Sequence, residues 1–382
     1  MREIIFFSIG DSSDVSTWSN VPYLFAKQLE KRGIILRKVN LHIGKNVRIL
    51  YNRTLFLLLN IIYPKHEYSF ERTFLYRFIV NRLIKKSVKK YNSADFCIFF
   101  GYNFYNKFNN IPSLLFGDWT YEILIHERLN REFYWFEKLY SKQEETIINS
   151  ANIIISLFPK CADRIKEQCP GANVFYLGNN VINSLYEEEL DANRILSIKN
   201  SSKKILFIGQ SKYIEGAKLL IESLKIISNA DSYELHIIGM DASLFENLPF
   251  NVYCHGYLRK NNIKERKLYY DLLISAKVLI NPTPLWAGYS SIVEGMFFYT
   301  PIVVTPFKDF VDEFGINIDF GVYNEIFSAE VLSQNILSVI HSHSYLDFCK
   351  KAHERVKSYT WDIYIDKLLK LMNQYNNKYN NN

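Results

Sequence analysis

The stretch VLINPTPLWAGYSSIVEGMFFYTPIVVT, residues 278–305, holds a single carboxylate, Glu294, between two apolar runs. The first run ends at Asn281 and Pro282. A segment with helical spacing follows, from Ser290 to Tyr299, and Pro301 opens a second β-branched run. Strand, loop, helix and strand in so short a span is the unit from which parallel sheets are built, because parallel neighbours need a crossover between them.

The same alternation extends outward in both directions. Upstream lie the strand ILFIG from Ile205, the helix GAKLLIESLKIIS, the strands YELHIIGM and VYCHGY, and the helix KERKLYYDLLISA. The first half repeats the pattern. EIIFFSIG is followed by the helix VPYLFAKQLEKRG, with Pro22 near its start and Gly33 at its end, and then by ILRKVNL. DFCIFFGY, SLLFGDW, NIIISLF and NVFYLGNN read as further strands, with a helix over 132–150. The polar stretch DANRILSIKNSSKK, Asp191–Lys204, reads as a linker. At 382 residues the chain is too long for one ordinary core. The expected fold is α/β, with two Rossmann-like, doubly wound domains facing a central cleft. The expected domains are 1–190, 191–358, and a closing segment 359–382 that ends in a disordered Asn-rich tail.

Composition excludes several classes. A hydrophobic fraction of 48% with 22% charged residues describes a globular protein rather than a disordered one. Five cysteines, an odd number without Cys-x-x-Cys spacing, point to reduced cytoplasmic thiols. The first apolar run stops at Gly10 and Asp11, too early for a signal peptide, and LFLLLNIIY, residues 55–63, is about half the ~20 residues a spanning helix needs. The net charge of +7 gathers partly in RTFLYRFIVNRLIKKSVKKYN, residues 72–92, a basic amphipathic helix. That helix is either a solvated surface or a contact with an anionic membrane. No nucleic-acid-binding motif accompanies it. His341 and His343 lack a third ligand, so no metal site is expected.

Ligands of open parallel sheets bind beyond the carboxyl ends of the strands. That rule selects GDSSDVSTWSN (10–20), Gly101 with Tyr102, Gly117 with Asp118, GQSKYIEG (209–216), Gly239 with Met240, GYL (256–258) and PTPLWAGYSS (282–291). Gly216, at a helix start, leaves N–H groups suited to an anion.

This layout resembles the retaining GT-B glycosyltransferases of the "group 1" type over nearly the whole chain. FIGQSKYIEGAKLL resembles that family's phosphate loop. INPTPLWAGYSSIVEGMFFYTPIVVT resembles its Glu-x7-Glu segment, GDSSDVSTWSNVPY a subgroup's opening, and SYTWDIYIDKL its Ser-x-x-Trp segment before the closing helix. The resemblance implies a nucleotide-diphosphate sugar as donor, a surface-glycan or lipid-linked acceptor, no permanently bound cofactor and no required metal. With the cysteine content and the cationic helix, a cytoplasmic enzyme is expected, peripheral on the inner membrane face through residues 72–92. Glu294 takes the position of the ribose-binding carboxylate, which could accept from two hydroxyls. Gly209, Gln210, Lys212, Gly216, Tyr257, Trp286, Ser290 and Ser291 would complete the donor site, with Lys212 stabilising the departing pyrophosphate. Asp118 would orient the acceptor hydroxyl or take its proton, and His126 is a weaker candidate on the following stretch. Asp11, Trp18 and Ser19 would close over phosphates or acceptor. Three positions depart from the family: Trp286 and Gln210 replace a Glu and an Arg, and Glu215 replaces a Lys. Trp286 favours a deoxy or otherwise modified sugar. Together the departures keep open a catalytically inactive partner protein. A GT-B epimerase is a further alternative, and a dehydrogenase is disfavoured by the lack of a Gly-x-Gly-x-x-Gly turn.

Overall fold

The computed structural model describes residues 1–178, 181–227, 232–284 and 289–380. These form two compact units, Met1–Asn179 with Tyr364–Asn382, and Asn180–Ile363. The division falls at 179 and 363, not at 190 and 358.

Unit 1 is built on six parallel strands: β1 Glu3–Ser8, β2 Ile35–Asn40, β3 Phe96–Phe100, β4 Ser113–Gly117, β5 Ile153–Ser156 and β6 Val174–Tyr176. Their order is β2-β1-β3-β4-β5-β6. β3, β4 and β5 are buried along their whole length, which is why they read as unbroken apolar runs. Much of the aromatic content lies here. Phe7 stands beside Phe99 in register with rings stacked at 4.5 Å, while Phe6, Phe25, Phe100 and Phe116 form a second cluster with centroids 4.8–5.7 Å apart. The helix Val21–Lys31 opens with Pro22 and is followed by Gly33 at φ +76°, a left-handed turn that suits glycine.

The basic helix runs Phe74–Lys90, and the Thr73 hydroxyl caps it by accepting from the Tyr76 N–H. Its packed face is Tyr76, Val80, Ile84 and Val88. Phe74, Leu75 and Phe78, apolar residues of the same helix, face outward.

Unit 2 carries β7 Lys204–Ile208, β8 Glu234–Ile238, β9 Val252–Cys254, β10 Ala276–Asn281, β11 Ile302–Val304 and β12 Gly321–Tyr323, all parallel. The order β12-β11-β10-β7-β8-β9 reverses direction between β7 and β10, and such a reversal is where ligands of this sheet type bind. In unit 1 the equivalent reversal lies between β1 and β3.

Residues 191–204 are not a linker. Asp191 caps a helix, Ala192–Ser201, by accepting from the Arg194 N–H, and Ile195, Leu196 and Lys199 are buried. The Lys199 ammonium donates to the carbonyls of Leu273 and Ala276 and to the Thr300 hydroxyl at 2.8–2.9 Å, so a residue that reads as linker polarity pins this helix to its unit. The last helix, Trp361–Asn380, lies in unit 1 from Tyr364 onward. There Tyr364 packs on Phe116 and Tyr375 on Phe96, Asp366 pairs with Arg32, and the Tyr375 hydroxyl accepts from Asn152. No helix among the described residues is long and apolar enough to cross a membrane.

Candidate functional site

At the carboxyl edge of the unit 1 sheet lies a cavity of about 390 Å³, lined by residues that include Ser8, Trp18, Arg72, Asp118, Tyr121 and Glu144. Asp118 follows β4 and accepts from the Trp119 N–H at 2.8 Å. Glu144 comes from the helix Trp135–Ser150, and one of its carboxylate oxygens accepts from the Tyr121 N–H at 2.7 Å. Burial pushes the Glu144 carboxyl up to about 7, against the lowering pull of that N–H and of the Arg72 and Arg77 charges. The Arg72 guanidinium lies 4.5 Å from the Tyr121 ring, and Arg77 lies 5.7 Å from the ring of Tyr140. The cavity thus combines two carboxyls, one of them poised near neutrality, with a cation and aromatic walls. Such a set can hold a hydroxylated ligand and exchange a proton with it.

The loop 10–20 supplies Trp18, whose ring meets Phe100 and Phe116 edge-on at 5.7 and 6.2 Å. Trp18, Ser19 and Asn20 have φ of 40°, 53° and 70°, three successive non-glycine residues in the left-handed region. Strain of this kind costs on the order of 1–2 kcal/mol per residue and gathers at functional loops. Asp11 faces its own loop, with its side chain accepting from the Ser13 N–H and its carbonyl from the Thr17 hydroxyl. Ser19 is exposed.

In unit 2 three glycines stand side by side beyond β7, β8 and β9. The Gly209 N–H donates to Ile238, and the Gly239 N–H donates to Gly256. Gly239 has φ +99°, and a Cβ there would come within 2.5 Å of the Gly209 carbonyl oxygen. Gly216 is the third residue of the helix Ile214–Ile226, and a Cβ on it would lie 2.3 Å from the Thr283 hydroxyl. Glycine therefore lets the first turn of this helix press on the loop after β10, closing the reversal point, in addition to offering first-turn N–H groups. The Thr283 hydroxyl is buried with no hydrogen-bond partner among the described residues. Lys212 sits on the turn Ser211–Tyr213, exposed, with its ammonium 4.8 Å from the Tyr213 ring. Gln210 is exposed, and Glu215 pairs with Lys218 at 3.5 Å.

Glu294 is in the second turn of the helix Ser290–Phe297, buried rather than poised at its N-terminus. The Lys260 ammonium lies 3.1 Å from each carboxylate oxygen, and the Tyr269 hydroxyl donates to one of them at 2.8 Å. A carboxylate offers about four acceptor positions, so three are already engaged. One hydroxyl can still be accepted, not the two that sequence alone suggested. Burial, with the Glu294 charge added, pushes the Tyr269 hydroxyl far above its ordinary value, so Tyr269 remains a donor.

Ser290 and Ser291 open the Glu294 helix, and Tyr257, after β9, is largely exposed. Trp286 lies outside the described residues. His126 contacts Glu132 and the Phe133 ring and is not among the residues that line the cavity. His341 accepts from or donates to Tyr233, and no group of three or more His, Cys, Asp or Glu among the described residues is arranged to hold a metal. Sequence reading missed Glu144, Lys260 and Tyr269, took Thr283 only as part of the selected PTPLWAGYSS, and read Arg72 only as part of the basic helix. For Glu144 a signal existed: it shares the helical phase of Phe136, Tyr140 and Ile147, the buried stripe of its helix.

No protein-family model and no curated protein matches this sequence. Solved structures do. A sucrose-phosphate synthase from Thermosynechococcus elongatus is similar at a TM-score of 0.69 with 14% identity, covering 98% of this chain and 99% of that one. The chain has the GT-B fold. The GT-B architecture is seen again in WaaG, a glycosyltransferase involved in lipopolysaccharide biosynthesis, at TM-score 0.59, 14% identity and 94% and 96% coverage. HepE of Anabaena, solved in complex with UDP and glucose, is similar at TM-score 0.57, 12% identity and 97% and 100% coverage.

Proposed function

We propose that this chain is a glycosyltransferase that moves a sugar, with retention, from a nucleotide-diphosphate donor to a surface-glycan or lipid-linked acceptor. The observation that carries the reading is the reversal point between β7 and β10, where Gly216 brings a helix N-terminus against the buried hydroxyl of Thr283, which has no hydrogen-bond partner among the described residues. A helix N-terminus beside a spare hydroxyl and an exposed lysine suits a diphosphate. The likeness to glycosyltransferase structures, one of them holding UDP and glucose, points the same way.

In this reading unit 2 binds the donor and unit 1 the acceptor. Glu294 accepts from a ribose hydroxyl. Lys212 and the first-turn N–H groups of Ile214–Ile226 offset charge on the departing pyrophosphate as the anomeric carbon–oxygen bond breaks. The acceptor hydroxyl, oriented by Asp118 and Glu144, attacks the anomeric carbon from the face the leaving group vacates. Its proton passes to a carboxylate or to the departing phosphate, and no bound metal or permanent cofactor is needed. Trp286 would lie against the sugar and favour a deoxy or modified donor. The protein would work at the cytoplasmic face of the membrane, with the cationic helix Phe74–Lys90 toward anionic lipid.

A second reading, an inactive GT-B-like partner protein, is favoured by one observation, the engagement of most Glu294 acceptor positions by Lys260 and Tyr269. Thermal unfolding with a panel of nucleotide sugars separates the two. A donor at 100 times its dissociation constant adds roughly 2.7 kcal/mol of stability. A shift with one nucleotide family, followed by transfer with an unchanged anomeric configuration, is expected. No shift with any nucleotide would leave the inactive partner standing.

A further inference from the structure

Two short helices, Lys45–Arg53 and Leu55–Ile62, stand out for what they fail to bury. The second, LFLLLNII, has none of its 8 residues buried. Ile61 is 80% exposed, Leu50 65%, and Leu57 and Leu58 each 53%. Folding ordinarily removes such side chains from water, each at a gain of about 1.5–3 kcal/mol.

These side chains belong to one surface. The Tyr51 hydroxyl donates to the Tyr68 carbonyl and its ring meets Phe70 at 5.5 Å, which ties the first helix to the segment leading into Phe74–Lys90. At the other end the Trp135 indole donates to the Tyr63 hydroxyl at 3.3 Å. Trp135 is 66% exposed and Phe74 77%. Outward apolar side chains therefore continue from Leu50 through Ile61 to Trp135 and Phe74, too extended for the scattered apolar residues of an ordinary surface.

Charge decides what covers it. Residues 45–92 hold eleven Lys and Arg against two acidic residues, Glu67 and Glu71. Along the outer face of Phe74–Lys90, Phe74 and Phe78 give way at helical spacing to Arg82, Lys85, Lys86 and Lys89, with the Arg82 guanidinium 4.2 Å from the Phe78 ring. A second copy of the chain would bring two cationic rims together. A bilayer surface meets the apolar part with acyl chains and the rim with anionic headgroups.

We propose that the two helices, with Phe74, Leu75, Phe78 and Trp135, insert into the interfacial layer of a bilayer containing anionic lipid. This deepens the membrane part of the proposed function, which had rested on the basic helix alone. Arg72 lines the cavity two residues before Phe74, so the inserted surface continues in sequence from the cavity wall and suits an acceptor carried on a lipid.

The test uses the full chain and vesicles of phosphatidylglycerol with phosphatidylcholine, or of phosphatidylcholine alone. Sedimentation with the anionic vesicles, a blue shift of tryptophan emission, and partial loss of binding at high salt are expected. The triple variant Leu57→Ser, Leu58→Ser, Ile61→Ser should unfold at the parent temperature, since these side chains bury little, yet bind anionic vesicles roughly 100-fold more weakly. Equal binding by parent and triple variant overturns the proposal. So does a parent dimer that the triple variant dissolves, which would make the surface a self-interface. Nucleotide binding by the triple variant is the control: its absence in parent and variant alike, with the parent still binding anionic vesicles and the variant not, would sink sugar transfer and leave the membrane surface standing.

Discussion

Glu294 and Lys260 form a pair whose side chains are 4% and 17% exposed, so removing the carboxylate strands an ammonium in a nearly dry setting. Glu294→Ala is expected to lower stability by about 3 kcal/mol in urea unfolding. It should also weaken nucleotide binding about 10-fold, the value of one hydrogen bond to a charged group. Lys260→Met separates the two roles, because it costs stability but frees acceptor positions on Glu294. Calorimetry should then find nucleotide affinity undiminished. Glu144 gives a pH signature. Its carboxyl is raised from 4.5 to about 7 in the folded chain, so the stability tied to its neutral form is complete below pH 4.5 and lost as pH rises through about 7. Glu144→Gln should match the parent near pH 4.5, flatten the decline, and exceed the parent in stability above pH 7, read by urea midpoints across that range. Sequence led to Glu294 as the lone carboxylate of its segment and through the resemblance to the Glu-x7-Glu pattern. It could not lead to Lys260 and Tyr269, because nothing local in a chain records which distant side chain will share a carboxylate.

The strands were legible as elements because burial on both faces leaves an unbroken apolar run, as in FCIFF and SLLFG, now β3 and β4. The helix Ala192–Ser201 was not, since Lys199 and Asn200 read as solvent-facing while Lys199 in fact points inward to three acceptors. Burial lowers the Lys199 ammonium to about 7, opposed by Cys349. Lys199→Ala removes the donor shared by the Ala276 carbonyl, the Thr300 hydroxyl and the Leu273 carbonyl, the last of which keeps the Thr300 hydroxyl, and a loss of about 3 kcal/mol in chemical denaturation is expected. Gly216 makes the complementary point about contact between elements. Its place at a helix start was readable, but the closeness of Thr283 was not. Gly216→Ala should cost about 2 kcal/mol and abolish any nucleotide-induced thermal shift, because the helix must move off the loop after β10. Adding Thr283→Ala removes the nearest clash and should restore part of the stability, while the backbone of residue 283, 3.1 Å from the new methyl, limits the recovery.

At the scale of the molecule, two parallel sheets were readable from alternation alone. The apolar skin of Leu55–Ile62 was not, because an apolar run says that burial is favourable without saying whether protein or lipid supplies it. The contribution of the chain's last helix to unit 1 carries a consequence for how the protein is made. Residues 180–363, all of unit 2, are translated between β6 and the segment that packs on Phe96 and Phe116. At 5–20 residues per second the ribosome takes roughly 10–40 s to cross that interval. For that time the nascent first unit holds its central strands without their last cover, and the second unit gains its whole sequence before that cover is made. Completion of the two units would run opposite to their order of synthesis, and the waiting first unit is where a chaperone would be expected to bind.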